Sequence, residues 1–170
     1  MDEYTAIVDD DDTIPEDSLK LCYAAMKLYD LDMVFTDELQ LSVRSGNINP
    51  SRIGSRRFED VTLHPQTIHH LVMMRSSLID KKCIEFANLY CAGIDWFMHA
   101  SVALRGKVMH LPKFGYTWSR HDDQHSVVTR KTYNYHFENI KRSIIESWGE
   151  RKGVIPQVDI TEVEAFIAKK

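Results

Sequence analysis

Residues 4–15 read YTAIVDDDDTIP, and no other stretch narrows the choice of fold as far. Tyr4 to Val8 is short and β-rich and runs straight into four aspartates, which predicts a buried strand that stops where the charge begins. Pro15 suits the first position of a helix, and Glu16 and Asp17 favour the positive end of its dipole. Leu19, Tyr23 and Met26, then Leu28 or Tyr29, continue at helical spacing and predict a helix over 15–29. Asp32 to Thr36 (DMVFT) predicts a second strand that ends at Asp37-Glu38. Strand, helix and strand in so short a span make a βαβ unit, and with it an α/β sheet.

Farther along, residues 44–66 mix turn formers and basic side chains without periodicity, which predicts a long loop. Ile68 to Met74 reads equally as a strand or a short helix. Ile94, Phe97, Met98, Val102 and Leu104 predict a helix over 94–105, stopped by Gly106. Two short strands are expected next, Lys107 to Leu111 and Gly115 to Trp118, separated around Pro112. Tyr133, Phe137, Ile140, Ile144 and Trp148 step by four, three, four and four, the pattern of an amphipathic helix ended by Gly149. A short last helix is expected from Thr161.

The 170 residues, 44% of them hydrophobic, suffice for one domain with a real core. A net charge of −4 excludes a chain that coats nucleic acid or an acidic membrane. Cys22, Cys83 and Cys91 are an odd count without metal-ligand spacing, which points to reduced thiols and a cytoplasmic setting. No apolar run is long enough for a transmembrane segment.

Three stretches carry chemistry. The first is Asp9 to Asp12. If the chain stays extended there, Asp9 and Asp11 point to one side, and Asp10 and Asp12 to the other. Carboxylates at the end of a strand suit a hard cation that also holds substrate phosphates, because such ions take oxygen ligands. The plain alternative is a solvated acidic loop that helps cap the next helix. The second is Gly93-Ile94-Asp95-Trp96, where Asp95 is either an ordinary first-turn acid or a site residue. The third is HLPKFGYTWSRHDDQHS over 110–126, whose histidines and aspartates could meet a metal or phosphate. Trp96, Tyr116 and Trp118 read as core residues, although sugars stack on aromatic faces. His69 and His70 are adjacent, cannot both face one site from a regular strand, and receive no function.

The order of these pieces resembles the family 2 glycosyltransferases with the GT-A fold, particularly bacterial members that build polysaccharides. The family's metal motif is matched by Asp9-Asp10-Asp11-Asp12, Pro15 and Leu19, and its following acidic strand end by Phe35-Thr36-Asp37-Glu38. The motif that carries the catalytic base is similar to Ile94-Asp95-Trp96. The later His-Trp motif is similar to His110-Leu111-Pro112, Tyr116-Thr117-Trp118 and His121 to Ser126. Three positions depart from the pattern: Ile94 replaces a common glutamate, no arginine stands at Ala100 or Ser101, and Ser119 follows the tryptophan, with Arg120 next to it.

The resemblance implies a partial GT-A domain, a mixed α/β sheet flanked by helices. It matches the metal- and acceptor-side half over 1–128, with the long helix and tail of 129–170 packing on it, and without the nucleotide-binding half that opens the family's domains. It implies inverting transfer from a nucleotide-sugar donor to a saccharide or polysaccharide acceptor. Asp11 and Asp9, with His121, would hold Mn²⁺ or Mg²⁺, and Asp95 would be the general base. Asp10, Asp12, Asp37, Glu38, Trp96, Trp118, Arg120 and His125 would line the substrates. A second chain would supply the missing half, or the chain would form a homo-oligomer. The rival expectation is a non-catalytic, truncated interaction subunit. A metal-dependent phosphohydrolase is weaker still, because no nucleophilic aspartate motif with a lysine partner is evident.

Overall fold

The computed structural model describes residues 3–169 apart from 53–55, 65–66, 92 and 122–124, and leaves the side chains of Arg52 and 125–134 undescribed. Five strands form one mixed sheet: β1 (Tyr4–Ile7), β2 (Met33–Ser42), β3 (Ile48–Arg52), β4 (Val72–Arg75) and β5 (Val108–Arg120). β4 lies between β1 and β2, antiparallel to both, so β1 and β2 run parallel and the βαβ unit closes with one strand inserted. β5 runs parallel to β2 along its whole length, and β3 pairs antiparallel with the outer half of β2.

The helices are α1 (Ser18–Tyr29), α2 (Phe58–Leu63), α3 (Lys82–Tyr90), α4 (Ile94–Ala103), α5 (His125–Trp148) and α6 (Ile160–Ala168). Both faces of the sheet are covered, which is why Met33, Val34 and Phe35 are all buried. Met33 and Phe35 join Phe97 and Ala100 of α4 and Ile140 and Ile144 of α5 in one cluster. Val34 packs on the opposite side with Leu21, Cys22 and Met26 of α1 and Val163 of α6.

Several expectations change. β1 is a half-buried edge strand, because among the described residues it pairs only with β4. Pro15 accepts a turn hydrogen bond from the Ser18 amide, so α1 begins three residues later than expected. Its buried face is Ser18, Leu21, Cys22, Ala25 and Met26, while Leu19 and Tyr23 are exposed. β2 does not stop at Asp37-Glu38 but continues to Ser42, because its outer half is paired on both edges. The expected loop over 44–66 contains β3 and α2, and of 68–74 only the last part is strand, β4 from Val72, after irregular backbone at 68–71. The two short strands are one, β5, with register shifts opposite Thr36 to Glu38 that absorb Pro112. α3 was not expected, although Cys83, Phe86, Ala87 and Tyr90 have the spacing of its inward face.

Candidate functional site

Because β1, β2 and β5 run parallel, their carboxyl ends open on the same side, where ligands bind in α/β sheets. Asp9 to Asp12 follow β1, Tyr116 to Ser119 lie in the outer part of β5, and His69-His70 sit just before β4, which runs the other way. Asp95 stands in the first turn of α4, after Gly93 in the left-handed region at φ 75°.

The aspartates are not extended. The Asp12 amide donates to the Asp9 carbonyl at 3.3 Å and closes a turn with Asp10 and Asp11 at its centre. The turn brings Asp12 round to Asp9 and Asp11, whose ligand atoms and its own all lie within 4.8 Å of one another. The alternation expected from an extended chain is therefore corrected, and Asp10 stands apart as an exposed residue. Asp12 accepts from the Tyr116 hydroxyl at 2.6 Å and from the Ser119 amide at 2.7 Å. Burial nevertheless pushes its carboxyl above the usual range, assisted by the charges of Asp11 and Asp9. Asp11 meets Nε2 of His121 at 2.8 Å.

His70 joins this turn to Asp95. Its Nε2 is 3.5 Å from an Asp9 carboxylate oxygen, and its ring stacks on Tyr116 with centroids 5.0 Å apart. His69, His70 and Asp95 form a second group whose ligand atoms lie within 4.8 Å. Both histidines face one place because they sit in irregular backbone before β4, where strand alternation does not apply. That corrects the expectation that two adjacent histidines cannot both face one site. Nδ1 of His69 is bonded to the carboxylate of Glu38, which is fully buried.

Some expected residues lie elsewhere. Trp96 is 1% exposed, donates from Nε1 to the Val61 carbonyl at 2.7 Å and stacks on Phe137, so it is a core residue and no platform for a sugar. Asp37 is buried and turned to Nε2 of His110 at 2.9 Å, with Gln157 on the other ring nitrogen at 3.2 Å; it supports the sheet rather than lining a cleft. Trp118 stands edge-on to His69 with centroids 6.3 Å apart, and Arg120 is exposed at the end of β5. The side chain of His125 lies outside those described.

A mixed sheet with helices on both faces is also the fold of a solved glycosyltransferase domain. Solved structures of TarS, a glycosyltransferase of S. aureus (residues 1–349), share it. One TarS structure aligns at TM-score 0.58 and 16% identity, over 98% of this chain and 45% of that one. Its complex with UDP gives 0.57 and 16% over the same shares, and its complex with UDP-GlcNAc 0.56 and 14%, over 98% and 47%. The chain thus spans under half the length of these neighbours. No protein-family model matches the sequence, and no curated protein matches it.

Proposed function

We propose that this chain carries the metal- and acceptor-side part of a family 2-type glycosyltransferase, with residues 1–128 forming the site and 129–170 bracing it. The reaction is inverting transfer of a sugar from a nucleotide donor, with a UDP-sugar the first to test, to a saccharide acceptor. One observation carries the reading: Asp9 and Asp95, 86 positions apart in sequence, both approach the same side chain, His70.

In this reading Asp9, Asp11 and Asp12, with His121, hold Mn²⁺ or Mg²⁺. The residues fit, since three clustered carboxylates and one imidazole offer a hard-to-borderline donor set. When bound, the ion supplies charge neutralisation for a departing nucleoside diphosphate. Asp95 receives the proton of the acceptor hydroxyl as that oxygen bonds to the anomeric carbon and the bond to the diphosphate breaks. Burial holds the pKa of His70 below the ordinary imidazole value, so at neutral pH it adds no charge between the carboxylates. Tyr116 and the Ser119 amide fix Asp12, and His121 orients Asp11.

Transfer from UDP-sugars to oligosaccharide acceptors, followed by release of UDP, tests this directly. Asp95→Asn should lower turnover by about a hundredfold or more and leave Mn²⁺-dependent stabilisation unchanged. Asp11→Asn should remove that stabilisation. A folded chain that binds Mn²⁺ at Asp11 yet transfers no sugar from any donor, alone or together with a chain that supplies the nucleotide-binding half, would favour the non-catalytic interaction subunit.

A further inference from the structure

The group formed by His69, His70 and Asp95 differs in chemistry from the acidic turn beside it. It offers two imidazoles and one carboxylate, with ligand atoms mutually within 4.8 Å. Two imidazoles and a carboxylate suit zinc or another imidazole-preferring divalent ion and leave positions open for water. We propose that His69, His70 and Asp95 form a second cation site, selective for Zn²⁺-type ions over the Mg²⁺ or Mn²⁺ suited to the aspartate turn.

Two further observations point to a ligand there. His69 spends Nδ1 on the buried carboxylate of Glu38, which leaves Nε2 as its lone pair. A carboxylate behind a histidine is the usual support of a metal-binding imidazole, because it fixes the tautomer and raises the basicity of the free nitrogen. His70 is 3% exposed, and its Nδ1 has no hydrogen-bond partner among the described residues. A second imidazole nitrogen without a partner among the described residues, Nε2 of His99, is close by, the two rings lying 6.2 Å apart. Buried ring nitrogens without partners are costly unless something occupies them. The binding inference stands on these residues alone. Only its consequence, that zinc silences transfer by occupying Asp95, rests on the transfer reading.

Cobalt is the probe, since Co²⁺ bound to imidazoles absorbs in the visible and aqueous Co²⁺ hardly does. Titration of the 170-residue chain with Co²⁺ should develop an intense d–d band, and one equivalent of Zn²⁺ should abolish it. Asp95→Asn and His70→Gln should each weaken Co²⁺ binding about tenfold or more, whereas Asp11→Asn should leave the band in place. Asp95 is partly exposed in a first helical turn, so its variant keeps the test open if His70→Gln fails to fold. Absence of the band, or a band lost in Asp11→Asn and kept in Asp95→Asn, overturns the second site. Mn²⁺ stabilisation measured on the same samples reports on the first site separately, so either inference can fall while the other stands.

Discussion

Tyr116 ties together both ends of the acidic turn: its hydroxyl donates to Asp12 and accepts from the Asp9 amide at 3.1 Å. Tyr116→Phe removes both bonds from a fully buried ring, and a hydrogen bond to a charged group is worth about 1.5–3 kcal/mol. A loss of that size in urea unfolding, with weaker Mn²⁺ stabilisation, is the expected result. Asp12→Asn should act in the opposite sense. Its carboxyl is raised above the ordinary value, so its protonated form favours folding and that contribution is lost as pH climbs through the raised value. At neutral pH without metal, thermal melts should show the neutral amide no less stable than the wild type and no longer responsive to Mn²⁺.

His99 gives the molecule an acid limb. Burial lowers its pKa from 6.5 to about 4, and His70 and His110 shift in the same direction for the same cause. The unfolded chain therefore takes up protons near pH 6.5 that the folded chain refuses, so stability is complete above that pH and falls as pH drops toward 4. Urea midpoints from neutral pH to about pH 4.5 should decline less steeply in His99→Asn, whose amide can still reach the Ile68 carbonyl.

At the scale of elements, the bulged stretch of β5 sets where the site residues point. A Cβ on Gly115 would meet the Thr36 side chain at 2.6 to 2.9 Å. Thr36 cannot easily yield, since its hydroxyl donates to the Asp37 carbonyl and accepts from the Leu71 amide. Gly115→Ala should cost about 1–3 kcal/mol in chemical unfolding and displace Tyr116 from Asp12. This stretch shows where reading the sequence falls short. Pro112 and Gly115 look like strand breakers, but two neighbouring bulges absorb them, and bulge positions depend on the partner strand. For α1, the expected face was a spread of large side chains, whereas the buried stripe is built of Leu21, Cys22, Ala25 and Met26, and small residues carry little pattern. The spacing along α5 was plain because its partners demand bulk at every inward step, as Ile140, Ile144 and Trp148 show.

For the whole molecule, the α/β class was legible because a strand, a helix and a strand leave few alternatives, and charge after a strand marks the ligand-binding side of such a sheet. From motif order Asp9, Asp11, Asp95 and His121 could be named as candidates, and the fold brings Asp11 against His121 and both Asp9 and Asp95 to His70. His69 and His70 could not, because their shared orientation comes from irregular backbone that no periodicity announces. Trp96 misled because an aromatic beside an acid reads the same in a core and in a sugar site; only the Val61 carbonyl that takes its Nε1 hydrogen decides.

If the proposed reading holds, the aspartate turn and the start of α4 face one cation-holding cleft. Bound Mn²⁺ broadens NMR signals steeply with proximity, so amide spectra of the chain during a Mn²⁺ titration measure that closeness. The account predicts early loss of signals from residues 9–12, 69–70 and 94–95 together, all restored in Asp11→Asn. Broadening at 9–12 while 94–95 stay sharp, or the same pattern in Asp11→Asn, would contradict it.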